Sequence, residues 1–138
     1  MILVTGATGL VGSHLVLHLL QNGKQVRALF KDENSKQKTT NLFAYYQAQH
    51  LLDQIQWVQA NVLDVNQLDE VFHQVEEVYH CAAIISFDPR NEQLMRKVNI
   101  EGTANMVNFA LIHQVKKFCL VSSIATLGDL VLPGKLID

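Results

Sequence analysis

Cysteine, proline and charge are scarce in this 138-residue chain, and each scarcity excludes a class of protein. Two cysteines and two prolines exclude a disulfide-stapled scaffold and a proline-rich linker. Only 17% of the residues are charged and the net charge is −2, so neither nucleic acid nor an anionic membrane surface is expected as the main partner. No apolar run approaches the length of a membrane span. With 49% hydrophobic residues, the chain has the composition of one globular domain.

The cysteines and histidines give no sign of a metal site. Cys81 and Cys119 both lie in apolar, strand-like runs, so we expect two buried free thiols in a reducing cytosol. The six histidines are scattered without ligand spacing, and we therefore expect no bound metal. Because the first strand is predicted to begin at Ile2, we expect no signal or transit peptide and a cytoplasmic protein.

Apolar runs alternate with helical patterns, an order that predicts βαβ units around a parallel sheet. The predicted strands cover residues 2–5, 25–30, 55–59, 78–81 and 118–122. The predicted helices cover residues 10–21, 41–52, 66–74 and 92–113, with a polar loop over residues 31–40. Right-handed crossovers arrange the strands in the order 3-2-1-4-5, a Rossmann-type doubly wound α/β sheet that stops after its fifth strand.

The most informative motif follows the first strand, where residues 5–12 read TGATGLVG. A strand, a glycine turn and an amphipathic helix in this order can hold a dinucleotide pyrophosphate on the helix N-terminus. Gly6 would let the chain turn sharply, Gly9 would let backbone approach a phosphate, and Gly12 would let the helix pack closely. The spacing is GxxGxxG rather than GxGxxG, and a strand-to-helix turn without a ligand is the alternative. The candidate phosphate-binding residues are Gly6, Thr8, Gly9, Leu10, Val11 and Gly12.

The stretch TGATGLVGSHL, residues 5–15, resembles the extended short-chain dehydrogenase/reductase superfamily. More narrowly, it is similar to the nucleotide-sugar epimerase/dehydratase, dihydroflavonol-reductase-like and 3β-hydroxysteroid-dehydrogenase-like branches. The resemblance implies an NAD(P)-binding domain over residues 1–138, the first portion of a longer oxidoreductase, epimerase or dehydratase. That parent would transfer hydride to or from a carbonyl or secondary alcohol of a small molecule, of nucleotide-sugar, steroid-like or flavonoid-like class. A non-catalytic module that senses redox state or scaffolds a complex is the alternative.

The end of the second strand bears on the choice of cofactor. An acidic residue there accepts hydrogen bonds from the ribose of NAD, whereas a basic one pairs with the 2′-phosphate of NADP. Phe30 stands where NAD-preferring relatives usually carry Asp, and Lys31 follows in a pattern similar to VRAxxR. The resemblance thus implies NADP, with Lys36 and Lys38 close enough to help. NAD is the alternative, if the lysines are only solvated and Asp32 turns inward.

Two further strand ends resemble the family's cofactor contacts. Asn61 and Val62 follow the third strand, where relatives usually carry an Asp that bonds the adenine amino group. The resemblance implies adenine contact, although Asn61 brings no charge and also suits a plain turn. Ala82 and Ala83 end a stretch similar to hxHxAA, which implies that backbone passes beneath the cofactor ribose and diphosphate. His80 in that stretch is expected to be a packed strand residue rather than a ligand.

Two more stretches resemble the family's active-site segments. Asn99 lies in VNIEGTAN, similar to VNxxGTxN, in which this Asn supports the active site from within a helix. Asn and Gly are weak helix formers, so their position in a long helix indicates a specific role. Ser123 belongs to LVSSIAT, similar to stretches whose last serine is catalytic and bonds the substrate carbonyl or hydroxyl.

The family's proton-transfer motif, YxxxK, does not occur in this sequence. Tyr45, Tyr46 and Tyr79 all precede Ser123, and none of them has Lys four residues later. We therefore expect the chain by itself to be inactive. An open edge at the fifth strand would expose unpaired backbone groups, so we expect a homodimer through that edge or through the tail at residues 130–137, or that tail docked on the edge.

Overall fold

The computed structural model describes residues 1–127 and builds them around one parallel sheet in the order β3-β2-β1-β4-β5. The strands are β1 (Ile2–Thr5), β2 (Val26–Phe30), β3 (Ile55–Gln59), β4 (Glu77–His80) and β5 (Lys117–Leu120). The helices are α1 (Leu10–Gln21), α2 (Glu33–Tyr45), α3 (Val65–Val71), α4 (Glu92–Arg96) and α5 (Thr103–Ile112). Short 3₁₀ turns cover Gln49–Gln54, Pro89–Asn91 and Ile124–Leu127, and a π-helical segment, Lys97–Gly102, joins α4 to α5. The predicted fold class and strand order are confirmed.

The central strand β1 separates two hydrophobic cores. All four of its residues are buried, because side chains alternate between the faces of a strand and helices cover both faces. Val4 packs in one core with Val16 of α1, while Leu3 packs in the other with Leu68 of α3 and Met106 of α5. Each such aliphatic side chain contributes about 1.5–3 kcal/mol by leaving water. The cores thereby fix the carboxyl ends of the strands, where the candidate site lies.

The predicted polar loop at residues 31–40 and the helix at residues 41–52 are wrong, because α2 already begins at Glu33. Asp32 caps this helix by accepting the backbone N–H of Ser35 at 3.0 Å. The buried face of α2 uses Thr39, which donates its hydroxyl proton to the Ala7 carbonyl, so the apolar spacing that marks a helix is missing. The helix therefore looks like a solvated segment in sequence.

The remaining predicted elements are present with shifted ends. The predicted helix at residues 92–113 is divided by the π-helical segment, and Cys81 follows β4 instead of ending it. Both cysteines are free, as expected, but half-buried. Among the described residues, no helix combines the length and the apolar character needed to cross a membrane. The tail at residues 130–137, for which docking or dimerisation was predicted, lies outside the described residues.

Candidate functional site

A cleft of about 330 Å³ opens at the carboxyl edge of the sheet. This is where open α/β sheets bind ligands, beside the point at which the strand order reverses between β1 and β4. Eight of the sequence-predicted site residues line it: Gly6, Thr8, Gly9, Lys31, Asn61, Val62, Ala82 and Ala83. Five predicted residues do not line it: Leu10, Val11, Gly12, Asn99 and Ser123. The sequence did not single out several other lining residues, among them Thr5, Leu94 and Val98.

The turn between β1 and α1 depends on Gly6. Its φ of +62° lies in the left-handed region, and a Cβ there would lie 2.7 Å from the backbone of Cys81 and Ala82. The Gly9 N–H donates to the Gly6 carbonyl at 2.9 Å and closes the turn. Gly12 lies directly behind that carbonyl, so the turn, the helix and the exit of β4 pack backbone against backbone.

The N-terminus of α1 offers unpaired donors beside the cleft. Gly9 is the N-cap residue and brings no side-chain acceptor, and no acidic residue occupies the first turn. Among the described residues, no acceptor meets the backbone N–H groups of Leu10, Val11 and Gly12. Unpaired N–H groups and the helix dipole together favour an anion at this end.

The charge of the cleft comes from lysine. Lys31 at the end of β2 and Lys38 of α2 are the only charged residues among those that line the cleft in the described part of the chain. The carboxylate of Asp32, which could have faced a ribose, instead caps α2. The cleft therefore favours an anionic ligand on the β2 side.

Lys36, also expected to help bind phosphate, has other partners. Its Nζ lies 3.0 Å from a carboxylate oxygen of Glu33 and 3.8 Å from the centre of the Phe30 ring. An ion pair and a cation–π contact both compensate its charge. Of the three lysines that follow β2, Lys36 therefore packs on the Phe30 ring, which lines the cleft, and does not line the cleft itself.

The segment after β3 forms one wall of the cleft, and a hydrogen bond from helix α5 holds it in place. The Asn61 side-chain oxygen accepts the Leu63 N–H at 3.1 Å, forming the strand-end turn that the sequence left open as an alternative. Asn105 of α5 donates to the Val62 carbonyl at 3.0 Å. A Cβ on Gly102 would lie 2.7 Å from a methyl group of Val62, so the helix approaches this wall closely.

Asn99 acts on the wall after β4. Its side-chain oxygen accepts the Ile84 N–H and its amide group donates to the Ile84 carbonyl, both at 2.9 Å. Asn99 lies in the π-helical segment, a rare geometry that is frequent at functional sites. The weak helix formers Asn99 and Gly102 were the only sequence signal of this segment.

A buried polar group lies beneath the cleft. His80 at the end of β4, which is 1% exposed, bonds the hydroxyl groups of Thr5 and Thr103. Burial lowers the pKa of His80 to about 4, so its ring is neutral at physiological pH. The expectation that His80 is a packed strand residue is confirmed, but its two threonine partners were not anticipated.

Ser123 lies beyond β5 at the same edge of the sheet. The Val121 N–H donates to the His80 carbonyl at 3.0 Å, which extends the contact of β5 with β4 toward the serine. The exposed Ser123 hydroxyl accepts the Ala125 N–H at 3.2 Å, and the Ser123 carbonyl accepts the Thr126 hydroxyl at 2.7 Å. Because its oxygen acts as an acceptor in the turn, the Ser123 hydroxyl can donate its proton to a ligand.

No group of three or more His, Cys, Asp or Glu side chains that could hold a metal ion occurs in the described part of the chain.

Comparison with known proteins identifies the family to which this chain belongs. The model of the NAD dependent epimerase/dehydratase family matches residues 2–135. A putative dihydroflavonol 4-reductase of Synechocystis is 30% identical over 125 residues, which are 91% of this chain and 33% of that protein. The chain spans about a third of the length of the curated relatives it matches.

Two solved structures share the architecture. A short-chain dehydrogenase/reductase superfamily protein from Agrobacterium tumefaciens, with bound NAD, is 26% identical with a TM-score of 0.74. That match covers 93% of this chain and 34% of the other. The UDP-glucose 4-epimerase of Thermotoga maritima, with UDP-glucose, is 26% identical with a TM-score of 0.79, and the match covers 95% of this chain and 40% of the epimerase.

Proposed function

The chain belongs to the NAD dependent epimerase/dehydratase family, and we propose that it is the dinucleotide-binding portion of an oxidoreductase, epimerase or dehydratase. The observation that carries this proposal is the N-terminus of α1, with three unpaired N–H groups in the described structure at a cleft lined by two lysines. The relatives are reductases and epimerases, which supports a cofactor-binding, oxidoreductase-like role.

Residues that line the cleft and residues beside it would hold different parts of the cofactor. The N–H groups of Leu10, Val11 and Gly12 bind the pyrophosphate at the helix N-terminus. Val62 contacts the adenine, and the backbone at Ala82 and Ala83 supports the ribose and diphosphate. Asn61 contributes less than its counterpart Asp in relatives, because its oxygen already accepts the Leu63 N–H. Asn99 acts indirectly through Ile84, so it supports the nicotinamide side without touching it.

Nucleotide titration of the chain tests this site. We expect NADPH and NADH to bind the wild-type chain and Gly9→Asp to lose at least ten-fold in affinity, because a carboxylate at the helix N-terminus repels the pyrophosphate. Gly23→Asp is the matched control, since Gly23 ends α1 at the opposite edge of the sheet with open space around it. A Gly9→Asp variant that binds as tightly as Gly23→Asp would refute the assignment.

The cofactor we propose is NADP, with NAD as the alternative. Lys31 and Lys38 line the β2 side of the cleft, and the Asp32 carboxylate is engaged as a helix cap. A charge-assisted hydrogen bond contributes about 1.5–3 kcal/mol, so NADPH should bind about ten-fold or more tightly than NADH.

Charge reversal at these lysines distinguishes the two cofactors. Lys31→Glu and Lys38→Glu should each abolish the preference for NADPH, while NADH affinity changes little. Lys24→Glu, an exposed residue before β2, makes the same change in net charge away from the cleft. Equal affinity of the wild-type chain for NADH and NADPH, or an unaltered preference in Lys31→Glu, would favour NAD.

The reaction we propose for the parent protein is hydride transfer with a carbonyl or secondary alcohol. When bound, the nicotinamide would donate the hydride to a carbonyl or accept it from a secondary alcohol. Ser123 donates its hydroxyl proton in a hydrogen bond to the substrate oxygen, on which negative charge develops. Because YxxxK is missing from these 138 residues, the chain by itself should not turn over substrate. Nucleotide sugars, steroid-like and flavonoid-like molecules remain the candidate substrate classes.

We also propose a homodimer through the edge of β5. Leu120 is 49% exposed and Val121 39% exposed there, and the edge of β5, to which no described strand pairs, offers backbone groups to a second copy. Sedimentation should give a dimer that Leu120→Lys converts to a monomer. A wild-type monomer at all concentrations would contradict this association.

A further inference from the structure

We propose that His80 is a positioning residue, which holds the Ala82 peptide beneath the proposed cofactor. It does so by linking that peptide, through Thr5, to Thr103 of α5. The proposal rests on the proposed cofactor site, since Ala82 lines that cleft. His80 is not among the residues that line the cleft, but it bonds Thr5, which lines it.

The link runs through three hydrogen bonds. The Ala82 N–H donates to Thr5 Oγ1 at 3.1 Å, Thr5 Oγ1 lies 2.7 Å from His80 Nδ1, and His80 Nε2 lies 3.0 Å from Thr103 Oγ1. The four groups come from β1, β4, the loop after β4 and α5. Thr5 and His80 are 0% and 1% exposed, so water does not compete for their bonds.

Counting protons assigns the tautomer of His80. Thr5 Oγ1 already accepts the Ala82 N–H, and among the described residues the only acceptor near its own proton is His80 Nδ1. If Nδ1 carried a proton instead, the buried Thr5 hydroxyl proton would have no partner, at a cost of about ten-fold or more in the equilibrium. The ring nitrogen that bears hydrogen is therefore Nε2, and it donates to Thr103.

A packing role alone does not account for this residue. Val78, two residues earlier on the same face of β4, is 0% exposed and fills its core position with a purely apolar side chain. His80 occupies the next position on that face, where polar groups from two other elements converge. A buried ring with both nitrogens bonded sets the separation of those elements.

The held peptide is also a packing partner of the glycine turn. A Cβ on Gly6 would lie 2.7 Å from the Ala82 nitrogen, so the turn rests on this peptide with no space between them. A shift of Ala82 would displace Gly6 and, with it, the start of α1. Through this chain of bonds, α5, which carries Thr103, fixes the position of the phosphate-binding turn without contacting it.

The tautomer is the first test, measured on the wild-type chain without nucleotide. Nitrogen NMR of His80 at neutral pH should show a neutral ring protonated on Nε2. A proton on Nδ1, or a charged ring, would overturn the proposal. This measurement requires no variant, so it decides the matter even if a substitution prevents folding.

The second test interrupts the link at its far end. Thr103→Val should speed hydrogen exchange of the Ala82 amide and weaken NADPH binding by about 3- to 10-fold, because one partly buried hydrogen bond is lost. Thr103→Ser keeps the hydroxyl and should restore both quantities. Thr40→Val is the matched control on α2, where the threonine hydroxyl bonds only the Lys36 carbonyl of its own helix.

The outcomes separate this proposal from the proposed function. Unchanged Ala82 exchange and affinity in Thr103→Val would overturn the role of His80 while the wild-type chain still binds NADPH. A wild-type chain that binds neither NADPH nor NADH would refute the cofactor site, whereas faster Ala82 exchange in Thr103→Val would still support the link through His80.

Discussion

Two of the turns that leave the carboxyl edge of this sheet, the one after β1 and the one after β5, are built in opposite ways. The turn after β1 is packed backbone against backbone, with Thr5 fully buried and Gly6 resting on the exit of β4. The turn after β5 is exposed, and within the described part of the chain Ser123 bonds only Ala125 and Thr126. The turn after β1 is held by β4, by the loop that follows β4 and by α2, whereas the turn after β5 is held mainly by its own residues.

The difference corresponds to the two tasks proposed for the site. The pyrophosphate is the same in every NAD(P), so the groups that bind it can be fixed in advance by packing. Substrates differ, and the group that meets them lies where the surroundings can vary. The turn proposed to bind the cofactor is therefore fixed by packing, whereas the described residues leave Ser123 exposed.

The largest expected effect is at the buried turn. Gly6→Ala should lower the free energy of unfolding by about 3 kcal/mol or more, because it adds backbone overlap to the cost of a left-handed alanine. Gly23→Ala separates the two causes, since Gly23 also has a positive φ, +68°, but nothing within 4 Å. It should cost only about 1–2 kcal/mol in urea denaturation. Equal losses in the two variants would show that packing against Ala82 contributes nothing.

The second largest effect is expected on acidification, which should lower the free energy of unfolding through His80 beneath the buried turn. The pKa of His80 is about 4 in the folded chain because of burial, against about 6.5 when unfolded. Between these values the unfolded chain binds the proton first, so the free energy of unfolding falls as pH decreases. From pH 7 to pH 5 the loss should be about 2 kcal/mol.

Two histidine variants assign that loss to its source. His80→Gln should be less stable at pH 7 but should lose less stability between pH 7 and pH 5. His50→Gln, which removes an exposed histidine from the turn Gln49–Gln54, is the matched control for the loss of an imidazole. If His80→Gln retains the full acid-dependent loss, another group is responsible for it.

The smallest effect on the chain itself is expected at the exposed turn. Ser123→Ala removes one acceptor for the Ala125 N–H and should cost at most about 1 kcal/mol, with NADPH affinity unchanged. In a longer protein that supplies a proton-transferring Tyr, the same change should lower kcat about 100-fold. A large loss of NADPH affinity in Ser123→Ala would instead place Ser123 among the residues that bind the cofactor.

The sequence by itself determined the fold class, the strand order and most of the predicted residues that line the cleft. These depend on local signals: apolar runs of strand length, the glycine turn after β1, and side chains such as Lys31, Val62 and Ala82 that directly follow strands. Parallel strands bring their carboxyl ends to one edge, so positions after strands converge whatever lies between them. Helix α2 escaped detection because a buried threonine occupies its apolar face.

Only the tertiary structure decided which residues hold the lining of the cleft in place. Asn105 reaches Val62 across 43 positions of sequence, and Thr5 meets His80 across 75. No local pattern encodes such pairs, because a side-chain hydrogen bond depends on the packing of whole elements and on the π-helical segment that turns Asn99 toward Ile84. The tautomer of His80 is the clearest case, since it follows from one proton on Thr5 that the folded chain buries away from water.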